Sequence, residues 1–237
     1  YDDMLVGAYY ADPGGDSSAG ETYVVFGSGS GFDSSLDLST LDGNNGFRLD
    51  GIDADDRSGY SVSTAGDVNG DGYDDMLVGA HYGDPGGDST AGETYVVFGS
   101  GSGFAASLDL ATLDGNNGFR LDGIDANDYS GSSVSTAGDV NGDGYEDMLV
   151  GANSADPGND SKAGETYVIF GSGSGFAASL DLATLDGNNG FRLDGIDAND
   201  NSGYSVSTAG DVNGDGYDDM LVGAYYAEPG GDSGAGE

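Results

Sequence analysis

The sequence predicts an all-β chain of tandem four-stranded antiparallel blades of 72 residues, β-propeller-type. It predicts an open arc or a helical, filament-like stack rather than a ring closed within this chain. Three observations carry that reading. The string DVNGDG starts at Asp67, Asp139 and Asp211, 72 residues apart each time. The run that begins Tyr1-Asp2-Asp3-Met4 returns in phase at Tyr73, Tyr145 and Tyr217, with Glu146 as its one acidic exchange. Units 1–72 and 73–144 differ at 9 positions, and so do units 73–144 and 145–216.

The unit reads as strands throughout. Asp75–Ala80 is a short apolar run between turn residues. Glu93–Gly99 is rich in β-branched and aromatic residues. Gly118–Ile124 alternates, with Phe119 and Leu121 on one face and Arg120 and Asp122 on the other. Gly131–Gly138 is built of small residues, which suits an innermost strand where backbones crowd. Clusters of Gly, Asp, Asn and Pro separate the strands. The segment Ser107–Leu113 is either an added strand or a helical turn. One blade cannot bury both of its faces, so each must stack on the next. The blade boundaries fall at 1–56 (partial), 57–128, 129–200 and 201–237 (partial), which reads as a window from a longer array or an engineered segment.

Charge sharpens the picture. The 237 residues carry 43 Asp and Glu against 5 Lys and Arg, a net charge of −38, with 47 glycines and no cysteine. A polyanion does not bind nucleic acid by neutralising phosphates, nor an anionic membrane surface. The lack of cysteine excludes disulfides, thiolate metal sites and thiol catalysis. No apolar run reaches the roughly 20 residues of a membrane-spanning helix. So much like charge opposes folding unless something neutralises part of it.

The pattern D-x-N-x-D-G-x-x-D names that something. It occurs complete as Asp67, Asn69, Asp71, Gly72, Asp75; as Asp139, Asn141, Asp143, Gly144, Asp147; and as Asp211, Asn213, Asp215, Gly216, Asp219. Oxygens at alternate positions of a tight loop converge on one point. Glycine permits the bend that wraps the chain, and the carbonyls of Tyr73, Tyr145 and Tyr217 lie at position seven. A shell of oxygens alone selects Ca²⁺ over zinc or copper. The loop differs from an EF-hand, because position twelve is Val78, Val150 or Val222 inside a strand rather than a closing acid. The bland alternative is an Asx-rich turn without metal.

These residues resemble the FG-GAP repeat of calcium-binding β-propellers, the repeat of the integrin α-subunit head. Ser58-Gly59-Tyr60-Ser61-Val62, the Asp67–Asp75 loop and Met76–Ala80 follow that family's pattern, and it recurs over Ser130–Ala152 and Ser202–Ala224. Ser58, Ser130 and Ser202 stand where the family has Phe. Tyr9, His81, Asn153 and Tyr225 stand where it has Pro. The resemblance implies that each loop joins the two inner strands of a blade and holds a structural Ca²⁺. Three such ions would leave the chain at −32.

Two further groups stand out. Asp125, Asn127 and Asp128, with counterparts Asp53, Asp55, Asp56 and Asp197, Asn199, Asp200, form either a second metal site or a solvated acidic turn. Differences between units cluster at Tyr9-Tyr10, His81-Tyr82, Asn153-Ser154 and Tyr225-Tyr226, and at Arg57, Tyr129 and Asn201. Tyrosines there either stack on a sugar or protein or pack between blades. His81 is alone, so no catalytic triad is read. The expected function is a non-enzymatic, extracellular, calcium-stabilised structural or adhesive protein. Its expected partners are calcium, and either further copies of itself or an extracellular protein or glycan. The alternative is a lectin-like or integrin-like ligand-binding module.

Overall fold

In the computed structural model, which describes residues 1–228, 232 and 234–237, the strands fall into four successive sheets. Residues 229–231 and 233 of the final partial repeat lie outside the described residues. The first sheet holds β1 (Met4–Ala8), β2 (Glu21–Val25) and β3 (Gly46–Asp50). The second holds β4 (Ser61–Gly66), β5 (Asp75–Ala80) and β6 (Glu93–Val97). Next in the chain come β7 (Ser107–Asp109) and β8 (Gly118–Asp122). The third repeat supplies β9 (Ser133–Gly138), β10 (Asp147–Ala152), β11 (Glu165–Ile169), β12 (Ser179–Asp181) and β13 (Gly190–Asp194). The last pair is β14 (Ser202–Gly210) and β15 (Asp219–Ala224).

Each full blade is a four-stranded antiparallel meander, β4-β5-β6-β8 in the second repeat and β9-β10-β11-β13 in the third. The small-residue strand is innermost as expected, and β9 packs against β4 on one side and β14 on the other. The ambiguous segment is both of its options. Ser107–Asp109 is a strand and Leu110–Thr112 a 3₁₀ turn, whose start is capped by Asp109 accepting from the Ala111 amide. It also leaves its own blade. β7 pairs in parallel with β3 of the preceding sheet, and β12 pairs likewise with β8. An outer edge that would expose unpaired backbone is thereby covered by the next repeat. Phe104 and Phe176 reinforce this strap, stacking on Phe47 and Phe119 at 4.1 and 4.3 Å.

Apolar residues lie between the sheets, because alternate side chains of a strand point to opposite faces. Met76, Val78, Ala80, Tyr95 and Val97 face the first sheet and meet Val24, Phe47 and Leu49. Leu77, Val96, Phe119 and Leu121 face the third and meet Met148, Val150, Tyr167 and Ile169. Every residue of β5 and β10 is buried, which is why these strands read as unbroken apolar runs. Burying each Leu, Ile or Phe contributes about 1.5–3 kcal/mol.

Two contacts set how closely blades approach. A Cβ on Gly79 would lie 2.1 Å from the Gly131 carbonyl oxygen of the next blade, and Gly151 meets Gly203 in the same way at 2.2 Å. The Ser61 hydroxyl donates to that same Gly131 carbonyl at 2.7 Å, repeated by Ser133 and Gly203 at 2.8 Å. Within the sheet, Arg120 pairs with buried Glu93 at 3.1 Å and also with Asp122, while the Tyr95 hydroxyl donates to Glu93. Burial raises the Glu93 carboxyl, and Tyr95 and Arg120 draw it back down.

Gly79→Ala is expected to force the seam apart and cost about 1–3 kcal/mol, read as a lower urea midpoint. Ala105→Asp, which copies exposed Asp33 of the first unit, should stay within about 0.5 kcal/mol of the parent. Arg120→Ala leaves a buried carboxylate without its cation. It should lower the midpoint, and adding Glu93→Gln should recover part of the loss.

Candidate metal centre

Each DxNxDGxxD loop connects the two inner strands of its blade: Asp67–Asp75 joins β4 to β5, Asp139–Asp147 joins β9 to β10, and Asp211–Asp219 joins β14 to β15. The loop is shaped by carboxylates that accept from its own amides. Asp67 Oδ1 accepts from Gly70 N at 2.7 Å and Asp71 N at 3.0 Å, and its Oδ2 accepts from Gly72 N at 2.9 Å. Asn69 Oδ1 accepts from Asp71 N at 2.8 Å, and Asp71 Oδ1 from Tyr73 N at 3.0 Å. Gly70 and Gly72 have φ of 76° and 91°, the left-handed region that side chains rarely adopt. The second loop repeats these bonds through Asp139, Asn141 and Asp143, and the third through Asp211, Asn213 and Asp215.

Asp75 differs from the other three side chains. It is fully buried, whereas Asp67 and Asn69 are half-buried and Asp71 is exposed. Its Oδ2 accepts from Val68 N at 3.0 Å and its Oδ1 from Gly99 N at 2.8 Å. One carboxylate therefore ties the start of the loop to the exit of β6, a link that loop spacing did not reveal. Asp147 makes the same two bonds, to Val140 N at 3.0 Å and Gly171 N at 2.9 Å. Burial pushes both Asp75 and Asp147 up to about 7, against the pull of those two amides, and the nearby loop carboxylates add to the rise. Neither has a Lys or Arg partner among the described ion pairs.

The loops of successive blades touch. The ring of Tyr145 lies over Gly70, so close that a Cβ there would sit 2.4 Å from it, and Tyr217 covers Gly142 in the same way. Glu146 N donates to the Asp67 carbonyl at 3.3 Å, and Asp218 N to the Asp139 carbonyl at 3.2 Å. The Asp218 carboxylate also accepts from Asp139 N at 3.0 Å. Burial, with Asp218 and Asp139 close by, raises the Glu146 carboxyl.

With these internal bonds made, no three His, Cys, Asp or Glu among the described residues stand as a ready ligand set. The donor chemistry fits a hard cation nonetheless. It is oxygen alone, it is wrapped by a glycine-bent loop, and it includes a buried carboxylate with no counter-charge. At the second acidic group, Asp56 and Asp128 are buried and pushed up to about 7, first by burial and then by Glu93 and Glu165 respectively.

Known proteins resemble this chain in sequence. The FG-GAP repeat pattern matches residues 58–97, 130–169 and 202–237. Phosphatidylinositol-glycan-specific phospholipase D of Bos taurus is 34% identical over 176 residues, 74% of this chain and 19% of that protein. Integrin alpha-PS2 of Drosophila melanogaster is 31% identical over 186 residues, 77% of this chain and 12% of that protein. Integrin alpha-V of Gallus gallus is 33% identical over 171 residues, 70% of this chain and 15% of that protein. The chain thus spans a fifth or less of each relative's length. Among the described residues no helix is long and apolar enough to cross a membrane. A meander of four strands, an acidic loop between its inner pair and the matching repeat pattern together place this chain in the FG-GAP repeat family.

Proposed function

We propose that the chain is a non-enzymatic, extracellular repeat module, stabilised by calcium and serving a structural and adhesive role. The observation that carries the reading is the buried carboxylate of Asp75 and Asp147, placed in an oxygen-only loop without a cationic side chain. A divalent ion there would supply the missing positive charge. Asp67, Asn69, Asp71, Asp75 and the Tyr73 carbonyl would hold it in the first loop. Asp139, Asn141, Asp143, Asp147 and the Tyr145 carbonyl would do so in the second, and Asp211, Asn213, Asp215, Asp219 and the Tyr217 carbonyl in the third. Extracellular calcium, at millimolar levels, suits loops of this kind.

Similarity to integrin α subunits supports adhesion. One relative is named for a phospholipase activity, but this chain matches only 19% of it. The chain's single histidine, His81, is buried between aromatic rings, with Tyr60 at 3.8 Å and Tyr82 at 4.4 Å. That placement suits packing rather than general acid–base work.

Chelation is expected to lower the melting temperature by ten degrees or more, because metal binding contributes directly to folding. Equal melting in EDTA and in millimolar Ca²⁺ would overturn the reading. Calorimetry should count three Ca²⁺ per chain, and two in Asp139→Ala or Asp211→Ala. The middle loop touches a neighbouring loop on both sides, so Asp139→Ala should cost more thermal stability than Asp211→Ala.

A further inference from the structure

Away from the acidic loops, an open groove of about 410 Å³ lies where the second, third and fourth repeats meet. Tyr60, His81, Tyr82, Tyr129 and Tyr204 form its aromatic wall. Ser132, Asn153 and Ser154 supply its polar side. Four of these rings form a connected run. Tyr60 lies 3.8 Å from His81, His81 lies 4.4 Å from Tyr82, and Tyr82 lies 5.4 Å from Tyr129. Backbone bonds fix the floor: Tyr82 N donates to the Asp56 carbonyl and Ser154 N to the Asp128 carbonyl, both at 3.3 Å.

A second observation comes from the repeat itself. Successive units differ at only 9 positions. All eight groove residues occupy positions that vary among the repeats: Tyr60, Ser132 and Tyr204 at one, His81 and Asn153 at another, Tyr82 and Ser154 at a third, and Tyr129 at a fourth, where Arg57 and Asn201 are its counterparts. Across the three full units all four of these positions change, against nine of the other 68. That is the pattern of a recognition surface carried on a uniform scaffold.

We propose that this groove binds an uncharged saccharide. The proposal deepens the adhesive reading above and rests on it. Ring faces of tyrosine match the apolar faces of a pyranose, while phenol, amide and hydroxyl groups match its hydroxyls. In a chain with 43 acids, no Asp, Glu or Lys lines the groove among the described residues. Arg57 flanks it, 4.1 Å over the Tyr82 ring, and is held as a stacked cation. Burial, with Arg57 near, drops His81 to about 4, so the wall is neutral at physiological pH. A net charge of −38 repels acidic sugars, and the groove offers no carboxylate to pair with a cation.

The test uses the calcium-loaded chain on an array of neutral and acidic glycans. It is followed by calorimetric titration with maltotriose, cellotriose and N,N′,N″-triacetylchitotriose, with trigalacturonate and tetramethylammonium chloride as charged probes. The expected result is retention of neutral glycans and at least a tenfold loss of affinity in both Tyr82→Ala and Asn153→Ala. Both variants should keep parental melting in calcium, since Ser154 and His81 already stand at the equivalent positions of neighbouring repeats. The proposal is overturned if no neutral glycan binds, if both variants bind as the parent does, or if only tetramethylammonium or trigalacturonate binds. Melting in calcium against EDTA, read on the same samples, reports on the calcium reading separately. A calcium-dependent fold that binds no sugar sinks this proposal alone.

Discussion

A carboxylate buried without a counter-charge sits at the turn between the two inner strands of every complete blade. Asp75 and Asp147 hold two amides each, one in the loop and one beyond the third strand. That bond pair fixes the loop relative to the sheet, and so fixes where the other loop oxygens point. It also imposes a burden. An ionised carboxylate away from water is costly unless a cation or further donors meet it, and the two amides meet it only in part. The neighbouring loop carboxylates Asp67 and Asp71 add to that burden, since their negative charge raises the Asp75 carboxyl further. Because Tyr145 and Glu146 rest on the first loop, and Tyr217 and Asp218 on the second, a change at one loop is felt at its neighbour.

The remaining structure holds near-identical blades at one spacing. Gly79 and Gly151 let the second strand of a blade approach the Gly131 and Gly203 carbonyls of the next. The Ser61 and Ser133 hydroxyls then bond to those carbonyls. On the outer side, the β7 and β12 straps sew each repeat to the sheet before it. Inner seam, outer strap and apolar filling recur with the 72-residue period, and changes within the filling are small, Val97 to Ile169 and Gly83 to Ala155. The exchange of whole aromatic rings falls where none of the three is involved. The aromatic corner at His81, Tyr82 and Tyr129 is such a place.

Much of this was legible in the sequence, and the reasons differ by element. The β5 and β6 strands were plain because buried strands leave unbroken apolar runs between turn residues. The small-residue β9 was placed innermost by crowding alone. The segment Ser107–Leu113 stayed ambiguous because its three-residue strand is stabilised by a different blade, and local pattern does not record a partner 59 residues earlier, as in Leu49 opposite Leu108. The loop was found by spacing, yet spacing gave all four side chains one role. The structure separates Asp75, a buried strut to Gly99, from the more exposed Asp67, Asn69 and Asp71. The rim tyrosines were visible as differences between units. Their gathering with Ser132, Asn153 and Ser154 into one groove depends on how three repeats stack.

The claim that calcium belongs to this fold is tested most directly by anomalous scattering from crystals grown in millimolar calcium. The account predicts one strong anomalous peak in each of the three loops, bounded by the oxygens of Asp67, Asn69, Asp71, Tyr73 and Asp75 in the first and by their counterparts in the others. Loops without peaks, still closed by the same Asx hydrogen bonds, would contradict it. So would peaks confined to the acidic turns at Asp56 and Asp128.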